Sequence, residues 1–255
     1  MVTKLDVDNK FLNIHNRILN TKAYFKKCPV IERQRFKQSS CIIPISVGQQ
    51  LEVHEGEKFA ATLEIVNASF KRCTLLIDDT VQRHTMRIFS SASEDVLYKE
   101  ALLEGDDWLE RNATILQNLN IEYNISRWSD WLNHPNYLSQ HEIVTELYNK
   151  DHQYKQSIDT SINEYITRVL KRRLIKFDLE LAFNCCLKYL LEECTIMCLW
   201  SQENYDFELY PSGRNQAMKA TYEHIIKLNN YSGKLVSVSL YFRKKHGVDI
   251  QKLKV

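Results

Sequence analysis

The chain has 255 residues, of which 44% are hydrophobic and 26% charged, and its formal net charge is +2. These values are typical of a globular domain, and the small net charge excludes a global electrostatic attraction to nucleic acid or to a membrane. Only 6 glycines are present, and no two are close enough for a dinucleotide-binding fingerprint or an ATP-binding P-loop, so both motifs are excluded.

Two apolar runs separated by a helical pattern open the predicted fold. Residues 41–45 predict a buried strand, and Pro44 favours a position near a strand end or an irregular sheet edge. Residues 55–70 carry apolar side chains at helical spacing, and a second apolar run at 73–77 ends at Asp78-Asp79. Strand, helix and strand in this order form a βαβ unit, which implies a parallel sheet.

The rest of the chain alternates helical and strand patterns. The predicted helices cover residues 80–118, 139–173 and 179–197, and the predicted strands cover 121–125, 205–209 and 236–242. This alternation predicts an α/β fold with a Rossmann-like, doubly wound parallel sheet flanked by helices. We predict a single domain at residues 35–255, preceded by a polar lead-in at residues 1–34.

Seven cysteines, an odd number, follow an N-terminus without an apolar signal region. This pattern predicts reduced thiols in a cytoplasmic protein. No apolar stretch approaches the roughly 20 residues that cross a bilayer, so no membrane partner is expected. Cys194 and Cys198 lack nearby residues that would complete a zinc site, and no metal is predicted.

Ser46 directly follows the first predicted strand, at the edge of the sheet where ligands bind. Its hydroxyl is a candidate nucleophile, with a helix or turn cap as the alternative. The G-x-S-x-G elbow of serine hydrolases is absent. A Ser46, His84, Asp78 triad can be written, although eight histidines would allow such a triad for almost any serine.

Two further patterns are candidates for binding. Tyr189 and Glu193 are four residues apart on a predicted helix, so they share a face that could hold a substrate ammonium group; a solvated or salt-bridged pair is the alternative. One dense basic run either contacts phosphates or forms a solvated helix face. It consists of Arg168, Lys171, Arg172, Arg173 and Lys176.

Taken together, the segments Ile45-Ser46-Val47-Gly48, Tyr189-x-x-x-Glu193 and Tyr210-Pro211 resemble the motifs of the tRNA-dependent cyclodipeptide synthases. Gln49 stands where one subfamily has Asn and Pro211 where it has His, so the chain is similar to the other, Tyr-Pro subfamily. The resemblance implies a monomeric Rossmann-like fold similar to the catalytic domains of class I tyrosyl- and tryptophanyl-tRNA synthetases. It also implies an enzyme that uses neither ATP nor another cofactor.

The reaction implied by the resemblance joins the amino acids of two aminoacyl-tRNAs into a 2,5-diketopiperazine. Aminoacyl- and dipeptidyl-enzyme intermediates would form on Ser46. Glu193 and Tyr189 would bind the substrate ammonium group, and Tyr210 would position groups or transfer a proton during cyclisation. A serine hydrolase or thioesterase, or a non-catalytic tRNA-binding module, is the alternative.

The resemblance places the amino-acid pocket and the tRNA surface by position only. The pocket residues would be Ile42, Pro44, Gly48, Gln49, Leu76, Ile196 and Glu208. We expect a small first amino acid and a polar or acidic second one. Because the predicted helix at 93–118 is acidic overall, tRNA phosphates are assigned to the basic run, helped by Lys58, Lys71 and Arg72.

Overall fold

The structure is a computed structural model that describes residues 20–26, 28, 30–47, 52–172, 177–203, 205–211, 213–228 and 235–244, with the Arg172 side chain left out. The described strands are β1 (Thr21–Lys26), β2 (Ser40–Ser46), β3 (Arg72–Asp78), β4 (Glu122–Arg127), β5 (Phe207–Tyr210) and β6 (Val236–Lys244). They form one sheet in the order β1-β6-β5-β2-β3-β4. Strands β2 to β6 are parallel, and β1 is antiparallel to β6.

The described α-helices are α1 (Val30–Arg35), α2 (Gly56–Ser69), α3 (Gln82–Met86), α4 (Glu94–Leu116), α5 (Trp128–Leu132), α6 (Tyr137–Lys150), α7 (His152–Arg172), α8 (Leu179–Gln202) and α9 (Gln216–Thr221). Short 3₁₀ segments lie at Phe36–Gln38 and Glu52–His54, and a π-helical turn lies at Tyr222–Ile226. Each described helix is too short or too polar to span a lipid bilayer.

A hydrophobic core lies on each face of the sheet. On one face, Phe59 of α2 and Trp108 of α4 share a core with Ile43 of β2. On the other face, Ile196 of α8 shares a core with Ile42 of β2. Side chains alternate along a strand, so the even-numbered residues of β2 point towards α8. Helices on both faces of a mainly parallel sheet confirm the predicted α/β class.

Strand β1 was not expected from the sequence pattern. Residues 21–26 pair with β6 along their whole length at the edge of the sheet. The ring of Phe25 packs against Phe36 with centroids 4.7 Å apart. The expectation of a polar lead-in is therefore wrong for residues 21–26, because strand pairing and aromatic contacts stabilise a strand where the apolar pattern is weak. The extent of the single domain stays a prediction.

Pro44 lies two residues before the end of β2, which fits the first of its two expected positions, near a strand end; β2 itself is an inner strand, so the alternative of a sheet edge is wrong. β2 pairs with β3 along its full length, but the pairing of β2 with β5 ends at Ile42. The carbonyl of Ser40 accepts from the N–H of Asp206, so the peptide groups of even-numbered β2 residues face β5. Pro44 has no N–H to continue that ladder. The two strands therefore separate at Pro44 and open a crevice at their carboxyl ends.

Candidate active site

A cavity of about 760 Å³ lies at this crevice, where the strand order reverses between β2 and β5. Switch points of this kind are the usual ligand sites of open parallel sheets. All four residues predicted for catalysis line the cavity: Ser46, Tyr189, Glu193 and Tyr210. Their roles stay predictions, but the fold brings them to one place.

The strand register explains how Ser46 and Tyr210 meet. Ser46 ends β2 and pairs with Asp78, which ends β3. Tyr210 ends β5, and Glu208 of that strand pairs with Ile42. Paired residues on neighbouring strands share a face of the sheet, and so do residues two apart on one strand. The side chains that therefore point to the α8 side are Ile42, Ser46, Asp78, Glu208 and Tyr210.

His54 holds the backbone of the serine turn. The N–H of Ser46 donates to His54 Nδ1 at 3.0 Å, and Trp108 Nε1 donates to the His54 carbonyl at 3.0 Å. Burial lowers the pKa of His54 to about 4, so the ring is neutral at pH 7. His54 therefore positions the chain at Ser46 with its acceptor nitrogen already occupied.

Glu193 is buried at the cavity wall and only partly hydrogen-bonded. Asn215 caps α9 by accepting from the N–H of Met218 at 2.7 Å, and its amide hydrogen-bonds Glu193. Burial raises the pKa of Glu193 to about 7; the bond from Asn215 opposes this shift, and the nearby Glu208 carboxylate adds to it. Glu193 Oε2 has no hydrogen-bond partner among the described residues. A buried carboxyl with one vacant acceptor is suited to a cationic ligand.

Tyr189 presents its hydroxyl beside two carboxyl groups. Gln82 Nε2 lies 3.5 Å from the Tyr189 hydroxyl and donates to the Asp78 carbonyl at 3.2 Å. Burial raises the pKa of Tyr189 well above its usual value, and the neighbouring Glu193 and Asp78 raise it further. The tyrosine is therefore neutral at pH 7 and can donate or accept a hydrogen bond. The alternative of a solvated Tyr189–Glu193 pair does not fit this buried arrangement.

The Ser46, His84, Asp78 triad is wrong. His84 Nε2 lies 3.1 Å from Glu192 Oε2, inside an ion-pair cluster whose members are not among the residues that line the cavity. Arg83 donates to both oxygens of Glu192 at 2.8 and 2.6 Å, and Trp128 Nε1 donates at 2.8 Å. His84 is held in this cluster because the buried Glu192 needs donors on every side.

The residues predicted to line the amino-acid pocket are found in two settings, the hydrophobic core and a buried ion pair. Ile42, Leu76 and Ile196 are fully buried in the core below the cavity. Glu208, also fully buried, pairs with Arg214, which lines the cavity and lies 4.9 Å over the Tyr222 ring. Pro44 is buried, while Gly48 and Gln49 lie outside the described residues.

Of the five residues predicted to contact tRNA, Arg168 and Lys171 have described side chains, and both are exposed on α7. Arg168 is exposed and lines the cavity, and Lys171 is exposed one turn further along α7. The Arg172 side chain, Arg173 and Lys176 lie outside the described residues. Lys58 lines the cavity and pairs with Glu52.

Lys71 and Arg72 lie at the opposite edge of the sheet from the cavity, so their help in contacting tRNA stays a prediction without support from this arrangement. Arg72 pairs with Ser40 at the opposite end of the β2–β3 ladder from Ser46. Six residues of strand separate the two ends by about 20 Å. The sequence does not show how far Lys71 and Arg72 lie from the basic run, because that distance depends on the edge of the sheet at which each segment lies.

The sequence did not indicate four residues of the site: His54, Gln82, Arg214 and Asn215. A polar residue just beyond a strand end and an Asn before a short helix are the available signals. Among the described residues, no group of three or more His, Cys, Asp or Glu side chains could hold a metal ion.

Comparisons with known proteins agree with this architecture. Neither a protein-family model nor a curated protein sequence matches the chain. The structure of a cyclodipeptide synthase (CDPS) from Fluoribacter dumoffii is 49% identical, covers 88% of this chain and 99% of its own, and superposes with a TM-score of 0.84.

Two more distant structures share the fold. A cyclodipeptide synthase from Candidatus Glomeribacter gigasporarum, bound to Phe-tRNAPhe, is 20% identical over 86% of this chain and 94% of its own, with a TM-score of 0.68. Tyrosyl-tRNA synthetase from Archaeoglobus fulgidus, complexed with L-tyrosine, is 11% identical over 82% of this chain and 56% of its own, with a TM-score of 0.50. The latter confirms the predicted likeness to class I synthetases. Given 49% identity over nearly all of a solved relative, the chain belongs to the cyclodipeptide synthase family.

Proposed function

We propose that this enzyme joins two amino acids, each delivered as an ester of tRNA, into a 2,5-diketopiperazine through intermediates on Ser46. The observation that carries the proposal is the cavity in which the Ser46 hydroxyl and the partly vacant Glu193 carboxyl lie together. A nucleophile beside a buried acceptor of positive charge suits an acyl group that carries its own ammonium.

The first step transfers an aminoacyl group to the serine. Ser46 Oγ attacks the ester carbonyl carbon, the bond from that carbon to the ribose oxygen breaks, and the ribose oxygen receives the serine proton. One oxygen ester replaces another, so the step depends on positioning more than on driving force. Such a step does not require the histidine base that the absent triad would have supplied.

Glu193 and Tyr189 would hold the ammonium group of the incoming residue. A carboxyl whose pKa is raised by burial to about 7 is also matched to exchange a proton with an amine at neutral pH. Glu193 would thus anchor the ammonium during acylation and accept its proton when the free amine must attack. Asn215 keeps one oxygen of Glu193 in place during both roles.

The dipeptide can remain on Ser46 only if the serine-bound residue supplies the attacking amine. That amine attacks the ester carbon of the second aminoacyl-tRNA, the second ribose oxygen leaves and takes a proton, and a dipeptidyl ester results. The new terminal amine then attacks the Ser46 ester, which closes the ring and returns the proton to Ser46 Oγ. Tyr210, at the cavity beside Ser46, would position the ester or carry a proton in this last step.

The finer assignments rest on position. The Tyr210-Pro211 pair at the end of β5 supports the Tyr-Pro subfamily, and we propose that the chain acts as a monomer. Arg168 and Lys171, exposed beside the cavity, would contact tRNA phosphates. A small first and a polar or acidic second amino acid stay the proposed substrates; a product mass profile limited to aromatic or leucyl cyclodipeptides would contradict them.

Incubation with charged tRNA tests the proposed function against its alternatives. A cyclodipeptide in the product mass spectrum supports the proposal. Free amino acid alone would indicate a hydrolase or thioesterase, and an ester that persists would indicate a tRNA-binding module.

Ser46→Ala should abolish the cyclodipeptide, because no other group then carries the acyl chain. Ser161→Ala is the matched control: this cavity serine accepts from the N–H of Ala217 at 2.9 Å and donates to the Ser157 carbonyl at 3.0 Å. It should retain synthesis. Full activity in Ser46→Ala would overturn the mechanism.

A further inference from the structure

A second carboxyl, Asp78, is an electrostatic neighbour of both Glu193 and Tyr189 and has no part in the mechanism above. Only 5% of Asp78 is exposed. Its Oδ1 has no hydrogen-bond partner among the described residues, which is also true of Glu193 Oε2. We propose that Asp78 is a third contact for the substrate ammonium group, together with Glu193 and Tyr189. This inference rests on the proposed function.

The strand register directs Asp78 towards the acyl site. Asp78 is the last residue of β3 and pairs with Ser46, the last residue of β2. Both side chains therefore leave the sheet on the α8 face, at the edge where the cavity opens. An acyl carbon held at Ser46 would carry its amino group on the adjoining atom, within reach of the neighbouring strand end.

Gln82 joins Asp78 to the ammonium site already proposed. Its amide donates to the main-chain carbonyl of Asp78 at 3.2 Å and lies 3.5 Å from the Tyr189 hydroxyl, so the end of β3 and Tyr189 are held close together. The Tyr189 hydroxyl in turn is close enough to Asp78 and Glu193 for both to raise the pKa of Tyr189. The Tyr189 hydroxyl and the Asp78 and Glu193 carboxyls are therefore electrostatic neighbours at the end of the sheet that carries Ser46.

The chemistry of this group fits a primary ammonium. An ammonium group has three N–H donors, and the site offers two vacant carboxyl oxygens and one hydroxyl. Burial raises the pKa of Asp78 well above its usual value, and the nearby Glu193 and Asp79 carboxylates raise it further. A cation placed between Asp78 and Glu193 would favour the charged form of both carboxyls.

A purely structural role explains Asp78 less well. A buried acceptor without a partner opposes folding, since it has lost its water and gained no hydrogen bond. Asp79, the next residue, has the structural role: it pairs with Arg127 and accepts from the N–H of Thr80. The two neighbouring aspartates therefore provide a matched pair of variants.

The test compares two esters of the same tRNA, one aminoacyl and one α-hydroxyacyl, which differ only in the ammonium group. Transfer of each to Ser46 is followed by rapid quenching and intact-protein mass spectrometry. Wild-type protein should prefer the aminoacyl ester. Asp78→Asn should reduce that preference by about tenfold or more, with the hydroxyacyl rate nearly unchanged, because only the aminoacyl ester loses a charged contact.

Asp79→Asn should affect the aminoacyl and hydroxyacyl transfer rates equally, if it affects them at all. The preference for the aminoacyl ester should therefore stay unchanged. Asp78→Ser provides a second variant that removes the carboxyl without adding bulk, and it must reduce the preference as well. An unchanged preference in folded Asp78→Asn and Asp78→Ser would overturn this inference alone. Failure of the wild-type protein to transfer either ester would overturn the proposed function and the inference with it.

Discussion

Glu192 and Glu193 are consecutive residues of α8 with 4% and 8% of their surface exposed, yet their surroundings are opposite. Glu192 receives donors from Arg83, His84 and Trp128. Although burial alone would raise its pKa, the hydrogen bonds and charges of His84 and Arg83 lower the pKa of Glu192 to about 2. Glu193 is hydrogen-bonded by Asn215 and keeps one vacant oxygen, and burial raises its pKa to about 7.

The difference follows from helical geometry. Consecutive residues of a helix point about 100° apart, so one carboxyl faces α3 and α5 and the other faces the cavity. The ion-paired carboxyl joins helices to one another, whereas the partly vacant carboxyl is available to a ligand. The two roles therefore differ because of the hydrogen-bond donors around each carboxyl and not because of position in the chain.

The largest effect on stability is expected where the Glu192 cluster is broken. Arg83→Met leaves a buried carboxylate without its bidentate partner, which should lower the free energy of unfolding by about 3–5 kcal/mol. Glu94→Gln is the control, because it removes only the exposed end of the same network, where Glu94 is 62% exposed. It should cost less than about 1 kcal/mol in urea unfolding. Equal effects of the two variants would contradict a structural role for Glu192.

The pH dependence of stability should have opposite signs at the two carboxyls. Glu193 releases its proton near pH 4.5 when unfolded and near pH 7 when folded, so its contribution falls as pH rises through this window. Glu193→Gln should therefore gain up to about 3 kcal/mol over wild type at pH 8, and little at pH 4. The contribution of Glu192 is present above pH 4.5 and is lost as pH falls towards 2.

Urea unfolding of wild type and Glu193→Gln across this pH range provides the measurement. A stability difference that does not change with pH would mean that Glu193 titrates as an ordinary carboxyl, and the contrast with Glu192 would fail.

A smaller effect is expected at the cavity rim, where Arg168 and Lys171 lie on the Glu193 side of the molecule. Arg168→Glu or Lys171→Glu should weaken tRNA binding by about tenfold and reduce the slope of log affinity against log salt by about one. Lys71→Glu, an equal charge reversal at the opposite edge of the sheet, is the control. An equal loss in the control would place the tRNA elsewhere.

Much of the fold could be predicted from sequence, because apolar runs and helical stripes are local signals. The parallel β2–α2–β3 unit and the stripe of α8 are examples. Strand β1 could not be predicted, since its stability comes from pairing with a strand more than 200 residues away. The resemblance indicated Ser46, Tyr189, Glu193 and Tyr210, which the structure brings to one cavity.

The hydrogen-bond partners of the site residues could not be predicted in this way. His84 and Asp78 were considered as members of a triad, but His84 bonds Glu192 and Asp78 lies beside Tyr189 and Glu193. Hydrogen-bond partners between distant segments depend on which side of each helix faces the cavity. Only tertiary packing fixes that choice.

In the proposed mechanism, the Glu193 carboxyl holds the ammonium of the aminoacyl group while Ser46 attacks its ester. Rapid-quench intact-mass measurement with a single aminoacyl-tRNA tests it directly. Wild-type protein should gain the mass of one aminoacyl group on Ser46, Ser46→Ala should gain none, and Glu193→Gln should acylate about 100-fold more slowly, as expected for a lost buried charge contact. Acylation of Glu193→Gln at the wild-type rate, or an adduct that persists in Ser46→Ala, would contradict the account.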